Sequence, residues 1–120
     1  MIAREAKIAS MYAEARGIFD GKASVTCSKP FYLEFNPVNA TKGKALVTAA
    51  DHLGILPEKI IAFGDSLNDL SMLQTAGKAV TVSNGWEQIR PWCDDVCESN
   101  NQDGPARYMN DHYLNGEVLF

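Results

Sequence analysis

The chain has 120 residues, of which 46% are hydrophobic and 22% are charged, a composition that excludes a disordered or fibrous protein. This length is enough for one domain but short for an enzyme that carries a separate substrate domain. The formal net charge of −4, without a basic stripe, argues against nucleic acid as the main partner.

The first predicted unit is a helix followed by a β-hairpin. Residues 1–17 are rich in alanine and charged helix formers, and they predict a helix that ends near Gly17. Alternating apolar and polar residues then predict two strands, Ala23 to Ser28 and Phe31 to Phe35. Because Pro30 breaks the pattern between them, we expect these strands to pair antiparallel.

The loop at residues 36–39 contains a proline and is the best candidate for a domain boundary. We therefore divide the chain into residues 1–38 and 39–120. In the second part, helices and apolar strands alternate, which is typical of an α/β fold with a parallel sheet flanked by helices. Its predicted elements are a helix over Lys42 to Leu53, a strand over Ile60 to Phe63, a helix from Leu67 to Ala76, a strand over Ala79 to Val82, a short helix over Trp86 to Arg90, a strand over Asp95 to Cys97, a helix from Pro105 to about Leu114 and a short extended tail over Glu117 to Phe120.

Local signals predict how these helices begin, end and pack. Thr41 is a predicted N-cap for the helix that follows it. Asn84 and Glu87 stand at capping-box spacing, and Pro91 is expected to limit the short helix that they begin. The helix after Thr41 is expected to bury a stripe of Leu46, Ala49, Ala50 and Leu53.

The most informative stretch is Gly64-Asp65-Ser66-Leu67-Asn68-Asp69, which directly follows an apolar run. Open α/β sheets bind ligands in the crevice outside the carboxyl ends of their strands, so Asp65 is expected to point into that crevice. Two carboxylates and an amide so close together provide hard oxygen ligands, which suit Mg²⁺ and phosphate better than zinc or copper.

Four motifs follow one another in the chain: Thr41-Lys42-Gly43-x-Ala45-Leu46, Gly64-Asp65-Ser66-Leu67-Asn68-Asp69-x-x-Met72-Leu73-x-x-Ala76-Gly77, Ser83-Asn84-Gly85 and Ser99-Asn100-x-x-Asp103-Gly104. In this order they resemble the C-terminal half of a haloacid dehalogenase superfamily phosphatase, and among these the Cof-type sugar phosphatases. The resemblance covers about residues 31–110. It implies a partial Rossmann-like core, preceded by a helix and hairpin left from a cap domain. P-type ATPases share a similar Gly-Asp-x-x-Asn-Asp loop, but the helix and terminal loop that follow fit the phosphatases better.

The resemblance also implies a reaction and the roles of four residues. Such enzymes hydrolyse small phosphorylated metabolites through an aspartyl-phosphate, with Mg²⁺ as the cofactor. Lys42 matches the catalytic lysine that neutralises the nucleophile and the phosphoryl oxygens. Asp65 matches a catalytic residue that ligates Mg²⁺ directly. Asn68 matches a residue that contacts the phosphate or supports the metal, and Asp69 a residue that supports the metal from its second shell.

The chain departs from this pattern at the nucleophile, because the family's first motif, Asp-x-Asp-Gly-Thr, is absent. Ile18-Phe19-Asp20-Gly21 imitates it, but Ile18 would occupy the nucleophile position and Lys22 the threonine position. We therefore expect a C-terminal fragment of a larger phosphatase, inactive by itself. The alternatives are a non-catalytic phosphate- or cation-binding module of the same fold, and a separate polypeptide that supplies the first motif.

Cysteine usage and apolar runs bear on the compartment and on partners. Three cysteines form no even disulfide framework, and no apolar run is long enough for a membrane span or a signal peptide, so we expect a cytoplasmic protein without a membrane partner. Cys93 and Cys97 are expected to be buried or inert thiols and not zinc ligands.

The apolar face of the hairpin, with Phe31, Leu33 and Phe35, is expected to be exposed and, together with the sheet edge, to favour a homo-oligomer.

Overall fold

The computed structural model describes residues 1–114 and contains one antiparallel hairpin and one three-stranded parallel sheet. The predicted α/β class, with a parallel sheet flanked by helices, is confirmed. The predicted extended tail lies outside the described residues. In chain order the elements are α1 Glu5–Ile18, β1 Ala23–Lys29, β2 Tyr32–Pro37, α2 Lys42–Leu53, β3 Ile61–Gly64, α3 Leu70–Thr75, β4 Lys78–Val82, β5 Asp95–Cys97 and α4 Gly104–Tyr113, with 3₁₀ segments at Pro57–Lys59, Leu67–Asp69, Glu87–Trp92 and Asn100–Gln102.

The parallel sheet has the strand order β3-β4-β5, with Ile61 paired to Lys78 and Val80 to Asp95. The middle strand β4 carries four consecutive buried residues, as expected of a strand covered on both faces. Since the three strands run in the same direction, the loops after β3 and β4 meet at one edge of the sheet. Their contact is direct, because the Trp86 N–H donates to the Asp65 carbonyl oxygen at 2.8 Å.

α1 folds back on the hairpin and covers its apolar face. Leu33 is fully buried in this contact, so the prediction that it lies exposed is wrong. Phe31 and Phe35 remain 37% and 41% exposed, and self-association through them or through the sheet edge stays a prediction. Trp86, from the loop after β4, packs against the same cluster and joins the helix–hairpin unit to the sheet.

The predicted ends of α2 are confirmed. The Thr41 hydroxyl accepts a hydrogen bond from the Lys44 N–H at 3.3 Å, which caps the first turn. Gly54 follows the last turn with a φ of +66°, in the left-handed region where glycine is favoured.

α2 nevertheless buries a different stripe from the predicted one. Gly43 and Ala50 are buried and Leu46 is partly covered, whereas Ala49 and Leu53 are exposed, so the prediction is wrong for these two. The contact of α2 with α3, described below, decides which face of the helix is covered.

The loop after β4 also differs from the prediction, because no side-chain capping bond forms at the start of the short helix. The Asn84 side chain instead donates to the Asn100 side-chain oxygen at 2.8 Å and thereby links the loops that follow β4 and β5. Pro91 does not end the segment, which is a 3₁₀ helix over Glu87–Trp92. A proline inside so short a helix removes only one backbone donor.

α4 packs on β4 and β5 through Tyr108, which is buried beside Val80 and Cys97. The Tyr108 hydroxyl donates to the Asp95 carboxylate at 2.9 Å. Burial, and then this hydrogen bond, raise the pKa of Tyr108 to about 12. Burial likewise raises the pKa of the Cys97 thiol, which lowers its thiolate fraction and its reactivity at neutral pH.

Candidate functional site

The loop that follows β3 is closed by a single carboxylate. One oxygen of Asp69, Oδ2, accepts hydrogen bonds from the backbone N–H groups of Asp65 at 3.0 Å and Ser66 at 3.3 Å. Gly64 permits this fold, because a Cβ at that position would lie 2.7 Å from the Cβ of Asp69. Asp69 is only 5% exposed, so its carboxylate is part of the structure of the loop.

β4 and the loop after it hold the same segment from the other side. Thr81 is fully buried, and its hydroxyl donates to the Gly64 carbonyl oxygen at 2.9 Å. A Cβ on Gly85 would lie 2.6 Å from this hydroxyl and 3.4 Å from the Asp65 carbonyl oxygen. The backbone of Asp65 is therefore held on both sides, while its side chain is exposed at the end of β3.

Lys42 is the first residue of α2, and its ammonium forms an ion pair with Oδ1 of Asp69. A close contact between helices brings it there. The Gly43 N–H donates to the Ser71 hydroxyl at 3.0 Å, and a Cβ on Gly43 would lie 2.5 Å from the Ser71 carbonyl oxygen. The Lys42 side chain is 51% exposed, so it reaches the buried carboxylate while its other side remains open to solvent.

Asn68 is half-buried in the turn between β3 and α3. Its side-chain oxygen accepts a hydrogen bond from the Ser66 hydroxyl at 2.5 Å. Among residues 1–114 the amide NH₂ group, a double donor, has no protein hydrogen-bond partner.

Lys42 and Asn68 line a cleft of about 420 Å³ that separates the helices α2 and α3 from the hairpin. Asp20, which belongs to the rejected imitation of the first motif, lines the same cleft from the turn between α1 and β1. Asp65 does not line it and lies beyond Asp69 at the sheet edge. The structure thus joins Lys42, Asp69 and Asp65 in one hydrogen-bonded group, with Asn68 next to Asp69 in the 3₁₀ segment Leu67–Asp69.

The carboxylate and amide oxygens of the site are of the kind that Mg²⁺ prefers, but few of them are available. Within residues 1–114, no three His, Cys, Asp or Glu side chains lie close enough together to hold a metal ion. Both oxygens of Asp69 are engaged, one by backbone N–H groups and one by Lys42. Asp65 is therefore the carboxylate that could ligate Mg²⁺, and Asp69 can act only through the loop that it closes.

Sequence reasoning missed the residues that hold the site in place. Thr81 is a fully buried polar residue between Val80 and Val82, and a hydroxyl inside an apolar strand was a usable signal, since buried polar groups need a partner. Ser71 carried no such signal, because its role depends on how closely α2 approaches α3.

The profile of one protein family, described as haloacid dehalogenase-like hydrolase, matches residues 1–109. A 5-amino-6-(5-phospho-D-ribitylamino)uracil phosphatase of Bacillus subtilis is 36% identical over 96 residues, which is 80% of this chain and 33% of that protein. A chloroplastic endoribonuclease of Arabidopsis thaliana is 38% identical over 95 residues, which is 79% of this chain but only 16% of that protein. So short a share assigns no ribonuclease function to the matched segment.

Among solved structures, a haloacid dehalogenase-like hydrolase from B. subtilis superposes with a TM-score of 0.78 and is 34% identical. The match covers 88% of this chain and 37% of that one. The chain therefore corresponds in fold to a part of a longer relative. No helix within the described residues is long and apolar enough to cross a membrane.

Proposed function

This chain belongs to the haloacid dehalogenase-like hydrolase family, and we propose that it supplies one half of the active site of a cytoplasmic, Mg²⁺-dependent phosphatase of small phosphorylated metabolites. The observation that carries the proposal is the ion pair between Lys42 and Asp69, located beside the exposed Asp65 at the carboxyl edge of β3. Homologous proteins named as phosphatases support the class of reaction.

The electrostatics of this edge suit a phosphate monoester. A phosphate would be repelled by the two aspartates alone, and cations must offset that repulsion. Lys42 provides one positive charge, and the N-terminus of α2, on which it lies, adds the positive end of a helix dipole. When a phosphate binds, the exposed side of the ammonium contacts a phosphoryl oxygen while Asp69 keeps the side chain in place.

Mg²⁺ would be held by Asp65, with Asn68 nearby, and its role when bound is to neutralise phosphoryl oxygens as charge develops on them. The amide NH₂ of Asn68 would donate a hydrogen bond to one of these phosphoryl oxygens. Asp65 stays fixed in position because its backbone N–H and carbonyl oxygen are both hydrogen-bonded. A preorganised arrangement of this kind needs little reorganisation during the reaction.

The attacking aspartate is proposed to come from outside these 120 residues, whose sequence lacks the Asp-x-Asp-Gly-Thr motif. Among the described residues β3 pairs only with β4, so its second edge is open. A parallel strand added there would end beside Asp65. The curated phosphatase described above has a further two thirds of its length in which such a strand can lie.

A non-catalytic phosphate-binding module is the second candidate. It is favoured by the loop after β3, where Asp65 is the carboxylate that Asp69 and Lys42 leave free, and by the lack of a metal-ligating group of three within residues 1–114. Both candidates require phosphate to bind at Lys42, so they differ in affinity and in turnover.

The test is a titration of the purified chain with inorganic phosphate and Mg²⁺, followed by calorimetry and by amide NMR. We expect shifts at Lys42 and Asn68, millimolar affinity and no hydrolysis of an aryl phosphate. Lys42→Met should abolish the response, whereas Lys44→Met should retain it, because Lys44 contacts Asn39 and lies away from the loop.

Three other results would change the assignment. Micromolar phosphate binding without turnover favours the binding module. Turnover that disappears in Asp65→Ala shows that the nucleophile is already present. If phosphate produces no change at Lys42 or Asn68, both candidates are wrong.

A further inference from the structure

Two asparagines form a reciprocal pair of hydrogen bonds at the carboxyl edge of the sheet. The side-chain amide of Asn84, in the loop after β4, donates to the side-chain oxygen of Asn100 at 2.8 Å. The backbone N–H of Asn100 donates in return to the side-chain oxygen of Asn84 at 3.4 Å. Because this second donor is a backbone N–H, it fixes the orientation of the Asn84 amide. We call these two hydrogen bonds the asparagine bridge.

The loop after β5 is a tight turn that fixes the position of Asn100. The Gly104 N–H donates to the Ser99 carbonyl oxygen at 3.0 Å. Asp103 has a left-handed φ of +56°, and a Cβ on Gly104 would lie 1.8 Å from the Glu98 carbonyl oxygen. These contacts account for the Ser99-Asn100-x-x-Asp103-Gly104 motif, to which the proposed function assigns no role.

Asn84 lies in the loop that holds Asp65 in place. The residue after it, Gly85, is so close to the loop after β3 that a Cβ there would lie 3.4 Å from the Asp65 carbonyl oxygen. The Trp86 N–H donates to the same oxygen at 2.8 Å. The position of Asp65 therefore depends on the position of residues 83–86.

The asparagine bridge is the last connection between the loops after β4 and β5. The Ser83 N–H donates to the Cys97 carbonyl oxygen at 2.9 Å and continues the bonding between the two strands. Beyond that bond, only the asparagine bridge joins the two loops by hydrogen bonds within residues 1–114. Without it, residues 84–86 would lose their attachment to the loop after β5.

The bridge lies outside the core of the protein. Asn84 and Asn100 are both exposed, whereas buried residues such as Val80 and Val82 supply the apolar packing of β4. Substitutions at exposed positions have small effects on the free energy of unfolding. The bridge therefore acts on the local geometry of two loops more than on the stability of the sheet.

Building on the proposed role of Asp65 as a ligand of Mg²⁺, we propose that Asn84 and Asn100 are positioning residues for this ligand. The bridge holds residues 83–86 against the loop after β5, and Gly85 and Trp86 hold the backbone of Asp65. A carboxylate that is already in position needs less reorganisation when a cation binds. Loss of the bridge should therefore weaken Mg²⁺ binding while the sheet remains folded.

The first measurement is amide hydrogen exchange of the metal-free chain, followed by NMR. Asn84→Ala removes both bonds of the bridge, so the Trp86 N–H should exchange about threefold to tenfold faster, as expected for one or two lost hydrogen bonds. Gly77 is the internal reference, because its N–H donates to the Pro57 carbonyl oxygen at the opposite end of the sheet. Its exchange rate should not change.

The second measurement is a titration with Mg²⁺ alone, followed by the amide shift of Asp65. Asn84→Ala and Asn100→Ala should each weaken the affinity by about threefold to tenfold. The double variant should bind no more weakly than Asn84→Ala, because that single change already breaks both bonds. If Asn84→Ala does not fold, Asn100→Ala, which leaves the Asn84 side chain in place, provides the same comparison.

Two control variants separate the bridge from other effects of substitution in this loop. Asn100→Asp keeps a side-chain oxygen that can accept from Asn84, so it should retain the slow exchange at Trp86. Asn101→Ala changes an exposed neighbour whose side chain has no protein hydrogen-bond partner within residues 1–114. It should change neither the exchange rate nor the Mg²⁺ affinity.

Four results would overturn the inference while the proposed function survives. Exchange at Trp86 does not change in Asn84→Ala, or it rises no more than exchange at Gly77. Exchange rises but the Mg²⁺ affinity stays the same, which shows a purely structural role. Asn100→Asp loses as much protection at Trp86 as Asn100→Ala. If Mg²⁺ does not shift Asp65 in the unaltered chain, the proposed role of Asp65 fails and this inference fails with it.

Discussion

Gly43 and Ser71 bring the start of α2 into direct contact with α3. The Gly43 N–H donates to the Ser71 hydroxyl at 3.0 Å, and a Cβ on Gly43 would lie 2.5 Å from the Ser71 carbonyl oxygen. The preceding residue, Lys42, thereby reaches Asp69, which is 27 positions away in the chain. The lack of a side chain at Gly43 thus determines where the ammonium group of Lys42 lies.

Substitution of Gly43 should damage both stability and the site. Gly43→Ala places a methyl group against α3 backbone, and we expect the free energy of unfolding to fall by about 1–3 kcal/mol. Because α2 must shift away from α3, the phosphate-dependent NMR shift at Lys42 should also decrease. Urea denaturation and the phosphate titration measure the two effects.

Gly17→Ala is the matched control. Gly17 lies inside α1, and a Cβ there has no atom within 4 Å. We expect the protein to be stabilised by about 0.5–1 kcal/mol, because alanine restricts the unfolded chain. An equal loss of stability in both variants would refute the steric explanation for Gly43.

Replacing each of the two aspartates of the loop by asparagine should affect the stability of the protein differently. Asp69→Asn removes the buried carboxylate that accepts from Asp65 and Ser66 and pairs with Lys42. We expect a loss of about 1–3 kcal/mol, at the lower end of values for buried pairs because Lys42 can be solvated. Asp65→Asn should leave stability within about 0.5 kcal/mol, because its side chain is exposed, but should remove the effect of Mg²⁺ on phosphate binding. Thermal unfolding with and without Mg²⁺ distinguishes the two, and a stability loss at Asp65 as large as that at Asp69 would contradict their assigned roles.

Tyr108 should make stability depend on alkaline pH. Its pKa in the folded protein is raised to about 12, above the ordinary value of about 10. The folded state therefore retains the phenol proton that the unfolded state loses, and stability is full below about pH 10 and declines between about pH 10 and 12. Tyr108→Phe should remove this decline and cost about 1 kcal/mol at neutral pH through the lost bond to Asp95. Urea denaturation at several pH values in this range measures the decline. If the free energy of unfolding falls equally steeply with pH in the variant, Tyr108 is not the cause.

The hydrogen bond between Tyr108 and Asp95 also affects how stability falls at acid pH. The hydrogen bond from Tyr108 is the main reason why the pKa of Asp95 is held below its ordinary value. A lowered carboxyl pKa contributes stability above its ordinary value, and this contribution disappears as the pH falls through the lowered pKa. The acid loss of stability should therefore be smaller in Tyr108→Phe than in the unaltered chain.

Leu33 should behave as a core residue of the helix–hairpin unit. It is fully buried under α1, so Leu33→Ala should reduce the free energy of unfolding by about 2–5 kcal/mol. Val47, 45% exposed on α2, provides the control, and Val47→Ala should change stability by at most about 0.5 kcal/mol. Similar small effects in urea denaturation would show that α1 does not cover the hairpin in solution.

The elements of this fold could largely be predicted, whereas several contacts could not. The strand Asp95–Cys97 and the helix that begins at Lys42 follow from local patterns of apolar and capping residues. The burial of Leu33 could not be predicted in this way. The alternation of Phe31, Leu33 and Phe35 identifies an apolar face, but it does not show which element covers that face. The error at Asn84 is of the same kind, since its side chain bonds to Asn100, 16 positions away, and not to the adjacent helix.

By itself, the sequence determined the order of helices and strands and the position of Asp65, Asn68 and Asp69 at the carboxyl end of a strand. These depend on interactions between residues close in the chain. Only the tertiary structure decided that Lys42 contacts Asp69 and that the polar face of the hairpin lines the cleft with it. Both depend on how closely two elements approach, and that distance is set by steric contacts such as that of Gly43 with Ser71, between residues far apart in the chain.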